Sequence, residues 1–310
     1  EIYTIQQWKA MNKRTVYLDI WNSFTRHFYQ ETFSDFKEDV LDYYFGKGRD
    51  IPLRYLSFTT KNGDVVGYAG LSDFNGDVKT WRVDYGIKPQ YFDKGLPQIL
   101  INSAIRLAHE SNIPKIMIET YGTENIFDTL LHSHKFSPIH FQWKMKMGKF
   151  TPSIISELPE GIEIKIQNKI ENYENYASVF DEIFKDSFEE TTMTATELED
   201  LLKLDANYND HKYCMAYYKD KLIGICSLNQ EKERKEYGAI AGLGVLPKYQ
   251  NHGIGTHLLE TAVKLLQKNN VNNITLTVDG DNENAMGLYK KVGFHIDPRF
   301  TIKYYLIKDK

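Results

Sequence analysis

Apolar positions recur along the chain with two periods, near 3.6 and 2, and the two periods appear in the same order twice. Residues 1–5 fit a short first strand. Over residues 14–31, Val16, Ile20, Phe24, His27 and Phe28 mark one helix face. A second helix is expected over residues 34–45, opened by Ser34 as N-cap and closed by Gly46. Residues 55–60 and 65–71 read as strands, joined by the hairpin turn Lys61-Asn62-Gly63-Asp64. A third strand over 80–87 ends at Pro89. A helix over 97–110 follows, with Ile99, Leu100, Ala104, Leu107 and Ala108 on its apolar face. A strand over 115–120, a helix over 124–134 and a strand over 140–147 complete the half.

Residues 148–161 carry Pro152, Ser153, Ser156, Pro159 and Gly161 with little periodicity, and so read as a linker. The pair Ile154-Ile155 suggests that it lies against the protein. The order then repeats: a strand over 162–166, helices over 170–184 and 196–204, and a hairpin of strands 213–218 and 222–228. A strand over 237–246, a helix over 255–268, a strand over 274–278, a helix over 284–291 and a last strand over 301–307 follow. Thr196 with Glu199 three residues on reads as an N-cap and capping box.

The halves align without a gap at an offset of 158 residues. Gly86, Pro89, Tyr91, Gly95, Leu100, Ala104, Leu107, Asn112, Ile116, Gly122, Leu130 and Phe136 each meet the same residue at that distance. These positions lie at turns and core faces, where geometry restricts the choice of side chain. The chain is expected to be a tandem duplication: a first domain over 1–148, a linker over 149–160 and a second domain over 161–310.

The totals agree with two domains. The chain has 310 residues, 42% apolar and 26% charged, the composition of a globular protein. A formal charge of -4 argues against nucleic acid as the main partner. No apolar run is long enough to cross a membrane. The first six residues do not read as a signal peptide, and the missing initiator Met suggests a trimmed N-terminus. Cys214 and Cys226 are too few for a disulfide framework, and no metal-ligand spacing is present. They are expected to be reduced, buried thiols of a cytoplasmic protein.

The chemistry gathers in residues 250–256: Gln250, Asn251, His252, Gly253, Ile254, Gly255 and Thr256. Two glycines flank one apolar residue at the start of a helix. Open backbone amides there, with the helix dipole behind them, favour an anion such as phosphate. The loop is neither a Walker A motif nor a dinucleotide fingerprint. By itself it also fits a helix entry with no ligand. Asn282, Ala285, Leu288, Tyr289, Gly293 and Phe294 follow at set spacing after the 274–278 strand.

With both groups present the chain resembles the GNAT superfamily of acyl-CoA N-acyltransferases. One family signature, Gln/Arg-x-x-Gly-x-Gly/Ala, is met by Gln250, Gly253 and Gly255. The other is met by Asn282, Ala285, Leu288-Tyr289 and Gly293-Phe294. The match is specific over 161–310 and weaker over the first half. It implies an α+β (mixed α/β) fold of two such domains. Each would hold a mixed, mostly antiparallel sheet flanked by helices and splayed between its fourth and fifth strands.

The resemblance also implies roles. Amides of residues 250–256 would hold the pyrophosphate of acetyl-CoA. Leu243, Gly244 and Val245 would pair their backbone with the pantetheine arm in the splay. Asn282 would bond the pantetheine region or fix the local turn. Tyr289 would protonate the departing thiolate; otherwise it is a buried aromatic on a helix face. No metal is implied. Thr277 stands where some relatives carry a glutamate base and cannot serve as one. Glu236, Tyr237 and Asp279 are nearby candidates, each also readable as a surface residue, and the base stays open. His252 is placed to contact phosphate rather than to act as a base, and His211 and His257 read as surface or packing residues.

The first half reads as a worn copy. Phe92 replaces Gln250, Pro97 replaces Gly255, Leu131 replaces Tyr289 and Glu124 replaces Asn282, while Asp93 adds negative charge. Productive acyl-CoA binding is not expected there, and Glu119, aligned with Thr277, is expected to be structural. Phe28, Tyr29, Phe33, Phe36, Tyr43, Tyr44 and Phe45 are expected mostly to fill that domain's core, or else to wall an acceptor pocket. The leading reading is acetyl transfer from acetyl-CoA to the primary amine of a small molecule. The alternatives are a non-catalytic acyl-CoA-binding or interaction protein and a transferase of longer acyl groups. The acceptor and the oligomeric state are not written in the sequence.

Overall fold

The computed structural model describes residues 2–4, 14–29, 55–74, 77–122, 126–150, 157–188, 194–204, 211–232 and 234–308. The helix expected over 34–45, and its aromatic residues, lie outside the described residues. In chain order the elements are β1 (Ile2–Thr4), α1 (Arg14–Tyr29), β2 (Tyr55–Lys61), β3 (Asp64–Phe74), β4 (Asp77–Ile87), α2 (Leu96–Glu110), β5 (Lys115–Tyr121), α3 (Ile126–Ser133) and β6 (Ser137–Met147). There follow β7 (Ile162–Gln167), α4 (Tyr173–Phe184), α5 (Ala195–Leu204), β8 (Lys212–Tyr218), β9 (Lys221–Gln230) and β10 (Tyr237–Val245). The last are α6 (Ile254–Lys268), β11 (Asn273–Asp279), α7 (Glu283–Val292), β12 (Phe294–Ile296) and β13 (Ile302–Lys308).

The duplication is visible residue by residue. α2 and α6 have the same length and stand 158 positions apart, as do β5 and β11. Asn112 and Asn270 both adopt positive φ, 54° and 61°, after these helices. Each helix buries an apolar stripe. Leu96, Leu100, Ile101, Ala104, Leu107 and Ala108 do so in α2, and Ile254, Leu258, Leu259, Ala262, Val263 and Leu266 in α6. Each fully buried leucine or isoleucine contributes on the order of 2 kcal/mol through loss of apolar surface to water.

Two compact units form, but they do not follow the boundaries 1–148 and 161–310. One comprises Glu1–Phe141 with Arg299–Lys310, the other Gln142–Pro298. In the first, the sheet order is β1-β2-β3-β4-β5-β13. In the second it is β7-β8-β9-β10-β11-β6, with β12 also on β6. Within these two orders β4–β5 and β10–β11 run parallel and the other pairs antiparallel, so each sheet is mixed and mostly antiparallel. The last strand of each sheet comes from the other half of the sequence.

Side chains fix this exchange. In the first unit Tyr305 of β13 is buried, and Lys303 meets Asp128 of α3 at 2.6 Å. Gly122 N donates to Thr301 O at 2.8 Å. In the second, Met145 and Met147 of β6 join the core with Leu276 and Phe294.

One helix start also differs from the reading above. The capping box before α5 is Thr194 with Glu197, not Thr196 with Glu199. Thr194 N donates to Glu197 Oε2 at 2.7 Å and Glu197 N to Thr194 Oγ1 at 3.2 Å. The Thr194 hydroxyl, which donates to Glu197 Oε2 at 2.7 Å, and then the Thr194 amide hold the Glu197 carboxyl below its ordinary pKa. Cys214 and Cys226 are free and buried, as register partners on β8 and β9. Burial pushes the Cys214 thiol up to about 12.

Candidate functional site

In the second unit β10 and β11 pair only at Tyr237–Asn273, Gly238–Ile274 and Ala239–Thr275. Beyond that β10 stays with β9, after a bulge between Ile240 and Gly242. The bulge turns the strand and the ladder to β11 stops, so the two strands separate. Leu243, Gly244 and Val245 lie on this diverging stretch, with one backbone edge directed away from β9. Such an edge can pair with an extended ligand. Gly244 has a second reason to lack a side chain: a Cβ there would collide with Ile183 of α4. Its counterpart Gly86 is held in the same way, by Tyr68 and Ile20.

The loop after β10 opens with a 3-10 turn at Pro247–Tyr249. Gln250 then folds back, its Nε2 donating to Val245 O at 2.9 Å and its amide to Pro247 O at 3.2 Å. The His252 Nδ1 sits 2.6 Å from Gln250 O. Both side chains thus brace the loop from within. Asn251 and Gly253 take positive φ, 64° and 77°. Gly253 is the N-cap of α6 and no side chain caps the helix. The first amide to bond back is that of His257, to Gly253 O at 3.1 Å. The amides of Ile254, Gly255 and Thr256 therefore start the helix without that backbone bond, ahead of the dipole of α6. The Ile254 and Thr256 side chains are buried and anchor this turn.

Asn282 is the N-cap of α7, its side-chain oxygen accepting from Ala285 N at 3.0 Å. Seven residues on, Tyr289 is 7% exposed and meets Phe294 edge-on, with ring centroids 6.1 Å apart. Burial holds its phenol well above the ordinary value, and the Cys226 thiol adds to the shift. Gly293 ends α7 at φ 116°, where a Cβ would strike the Lys149 carbonyl. The Gly-Phe pair is therefore explained by a helix stop and a core contact.

The base candidates separate. Glu236 and Tyr237 lie at the paired end of β10, the Glu236 carbonyl accepting from Asn272 and Asn273, and Arg234 lying 4.4 Å over the Tyr237 ring. Asp279 accepts from Gln142 Nε2 at 3.0 Å. His211 is buried next to Tyr213. Thr277 is exposed, and its register partner is Lys144 of β6. Burial lowers the Lys144 ammonium to about 8, against the upward pull of Asp297 and Glu231 and with a smaller push from Arg234. No sequence pattern marks this residue, because its strand reads as part of the first half.

The equivalent place in the first unit is filled. The β4–β5 ladder stops at Val83–Ile118, and Gly95 repeats the N-cap geometry at φ 78°. Pro97 then removes one of the amides. Tyr85 crosses the gap, its hydroxyl donating to Glu119 O at 2.8 Å. The Glu119 carboxylate pairs with Arg82 and accepts from Tyr121 at 2.7 Å. Tyr17 donates to Asp84, whose carboxyl burial raises to about 6. Phe24, Tyr85, Phe127 and Phe92 form a run of ring contacts with centroids 4.8 to 5.6 Å apart.

Known proteins can be set beside this geometry. Mycothiol acetyltransferase of Paenarthrobacter aurescens (strain TC1) is 23% identical over 236 residues, spanning 74% of this chain and 71% of its own. N-alpha-acetyltransferase 30 of Xenopus laevis is 35% identical over 94 residues, 30% of this chain and 34% of its own. Among solved structures, a tandem GNAT protein from the clavulanic acid biosynthesis pathway superposes with a TM-score of 0.75 at 14% identity. It covers 99% of this chain and 98% of its own. A GCN5-related N-acetyltransferase from Sphaerobacter thermophilus gives 0.66 at 17% identity, over 96% and 92%. Residues 15–131 and 177–294 each match the acetyltransferase (GNAT) family, so the chain belongs to that family and carries its domain twice.

Proposed function

We propose that the chain transfers an acetyl group from acetyl-CoA to the primary amine of a small molecule, using the second unit alone. The observation that carries this reading is the coincidence of three features in one unit. The strand edge at residues 243–245 lies open beside the splay, the uncapped start of α6 follows it, and Tyr289 stands on the neighbouring helix. The names of the relatives support acetyl as the group and an amine as the acceptor.

Amides of 254–256 would hold the pyrophosphate, and residues 243–245 would pair with the pantetheine arm. The amine attacks the thioester carbonyl directly, and a backbone amide near Val245 stabilises the oxyanion. Tyr289 donates to the leaving sulfur. Its raised pKa keeps the proton in place at neutral pH, and the same dry surroundings make the thiolate more basic. The free buried thiols fit a reducing compartment, so a cytoplasmic setting is proposed.

Titration calorimetry with acetyl-CoA tests the reading: one site per chain is expected, and two equal sites would overturn the assignment to one unit. An amine-library screen that detects free CoA tests the reaction. Tight acetyl-CoA binding with no turnover on any amine would favour a non-catalytic acyl-CoA-binding protein.

A further inference from the structure

At the splay β10 has two faces, and contacts at its glycines assign them. Neighbours on a strand point to opposite sides. Val245 turns toward α6 and α7: a Cβ on Gly255 would lie 3.4 Å from Leu288 and 3.8 Å from Val245. Tyr289 follows Leu288 on α7. Gly242 and Gly244 face α4 instead, where a Cβ on Gly242 would meet Phe184 at 4.0 Å and one on Gly244 would strike Ile183. A thioester held in the splay thus has Tyr289 to one side and α4 to the other, and the α4 side is left for the amine.

α4 brings aromatic rings to this place. Tyr176, Phe180 and Phe184 recur every fourth residue and share one helix face. Their rings form a row, with centroids 6.4 Å apart for Tyr176 and Phe180 and 4.6 Å apart for Phe180 and Phe184. Tyr176 is buried, and Phe180 and Phe184 are half-buried, so the accessible end of the row is the one beside Gly242. The missing side chain of Gly242 leaves room there. A Cβ would make only ordinary contacts, at 3.4 Å to Ser227 Oγ and 4.0 Å to Phe184. The Ser227 hydroxyl is itself hydrogen-bonded to Tyr176. In the first unit a polar pair fills the same place. Ile20 meets Gly86 as Ile183 meets Gly244, which sets Tyr17 against Phe180 and Asp84 against Gly242. Tyr17 donates to the Asp84 carboxyl. The second unit has neither the hydroxyl nor the carboxyl, and what remains is a slot of rings beside bare backbone.

We propose that the acceptor is a primary arylalkylamine, whose ring packs against Phe180 and Phe184 over Gly242 while its amine reaches the splay. This deepens the acetyl-transfer reading and rests on it. Phe180 and Phe184 are tilted 46° to one another, so a third ring gains edge and stacked contacts that an alkyl chain does not. A polyhydroxylated amine, such as an amino sugar, would press hydroxyls against Phe180, Phe184 and Ile183, where they lose water and gain no partner.

The test uses the full chain, acetyl-CoA and three primary amines: phenethylamine, butylamine and glucosamine. Phenethylamine is expected to exceed the other two in kcat/KM by about 10-fold or more. Gly242→Ala fits the strand at ordinary contact distances and fills the slot. It should raise KM for phenethylamine about 10-fold, with kcat, acetyl-CoA affinity and the butylamine reaction all within about two-fold. Phe184→Leu, which keeps an apolar side chain, should act in the same direction by about three- to five-fold. A change that merely loosened the fold would affect all three amines alike. Calorimetry of phenethylamine on the CoA-loaded protein reads the slot without turnover, and Gly242→Ala should weaken that binding about 10-fold. Equal kcat/KM for the three amines, a preference for butylamine or glucosamine, or phenethylamine binding unchanged in Gly242→Ala overturns the arylalkylamine assignment while acetyl transfer stands. A chain that binds acetyl-CoA and acetylates no amine overturns the functional reading and this assignment with it.

Discussion

The splays of the two units differ in pairing and in contents: β4 follows β5 from Thr80–Lys115 to Val83–Ile118 with the β3–β4 register unbroken beside it from Trp81 to Ile87, whereas β10 carries a bulge between Ile240 and Gly242 and leaves β11 after Ala239–Thr275. In the first, Tyr85, Phe127, Phe92 and Glu119 occupy the place; at the same offset the second has Leu243, Ala285, Gln250 and Thr277. Large rings and a hydroxyl bond across the strands close the first gap, and the second has smaller or flexible side chains at the same offsets. The left-handed glycine before the helix is kept in both, at φ 78° and 77°. So is the glycine that lets a neighbour approach, Gly86 and Gly244. Those glycines belong to the fold. Under the proposed function, residues that differ between the units, Gln250, Gly255, Ala285 and Tyr289, are the ones expected to serve the ligand.

The largest expected effect separates the units by folding. Removing residues 299–310 takes β13 from β5 and breaks the Lys303–Asp128 pair. Hydrogen exchange should then show protection lost throughout β2–β5 while β8–β11 keep theirs. Equal loss in both would mean that they unfold as one.

Tyr289→Phe should lower turnover by about 100- to 1,000-fold with acetyl-CoA affinity within two-fold. The matching change Leu131→Tyr should produce no activity when added to Tyr289→Phe. Rate restored by that second change would break the contrast.

A smaller effect concerns pH. The Asp84 carboxyl is raised to about 6 in the folded protein, above an unfolded value near 3.8. Between these values the native state binds a proton that the unfolded state does not. Stability from this group is therefore full below about pH 4 and is lost as pH rises through about 6, by at most about 3 kcal/mol. Asp84→Asn should flatten that slope in unfolding of the first unit monitored from pH 4 to 7.

The smallest is a matched pair. Gly95→Ala and Gly253→Ala should each cost about 1 kcal/mol, because both force alanine into the left-handed region. Denaturant unfolding should show similar losses, but calorimetry should show weaker acetyl-CoA binding only for Gly253→Ala.

Much of this was legible in the sequence because the copies keep their turn residues. Pro89 and Pro247 start the same 3-10 turn, and α2 and α6 begin and end at the same offset. The exchanged strands were not legible. The alternation in 140–147 and 301–307 says that each is a strand, but a period of two does not name the neighbour. The α5 cap was ambiguous for a local reason: Thr194-x-x-Glu197 and Thr196-x-x-Glu199 both satisfy the capping pattern, and only the backbone entry selects the first. Lys144 escaped notice as a consequence of the strand exchange.

That exchange also bears on how the protein is made. A ribosome delivers β1 to β5 long before β13, so the first unit emerges with the outer edge of β5 unpaired. β6, already made, has its own partner in β11, which is not yet synthesised. The first half must therefore wait, incomplete, until the final strand leaves the exit tunnel, and the two units reach their finished sheets almost together. The arrangement ties the quality of the first unit to complete translation of the second.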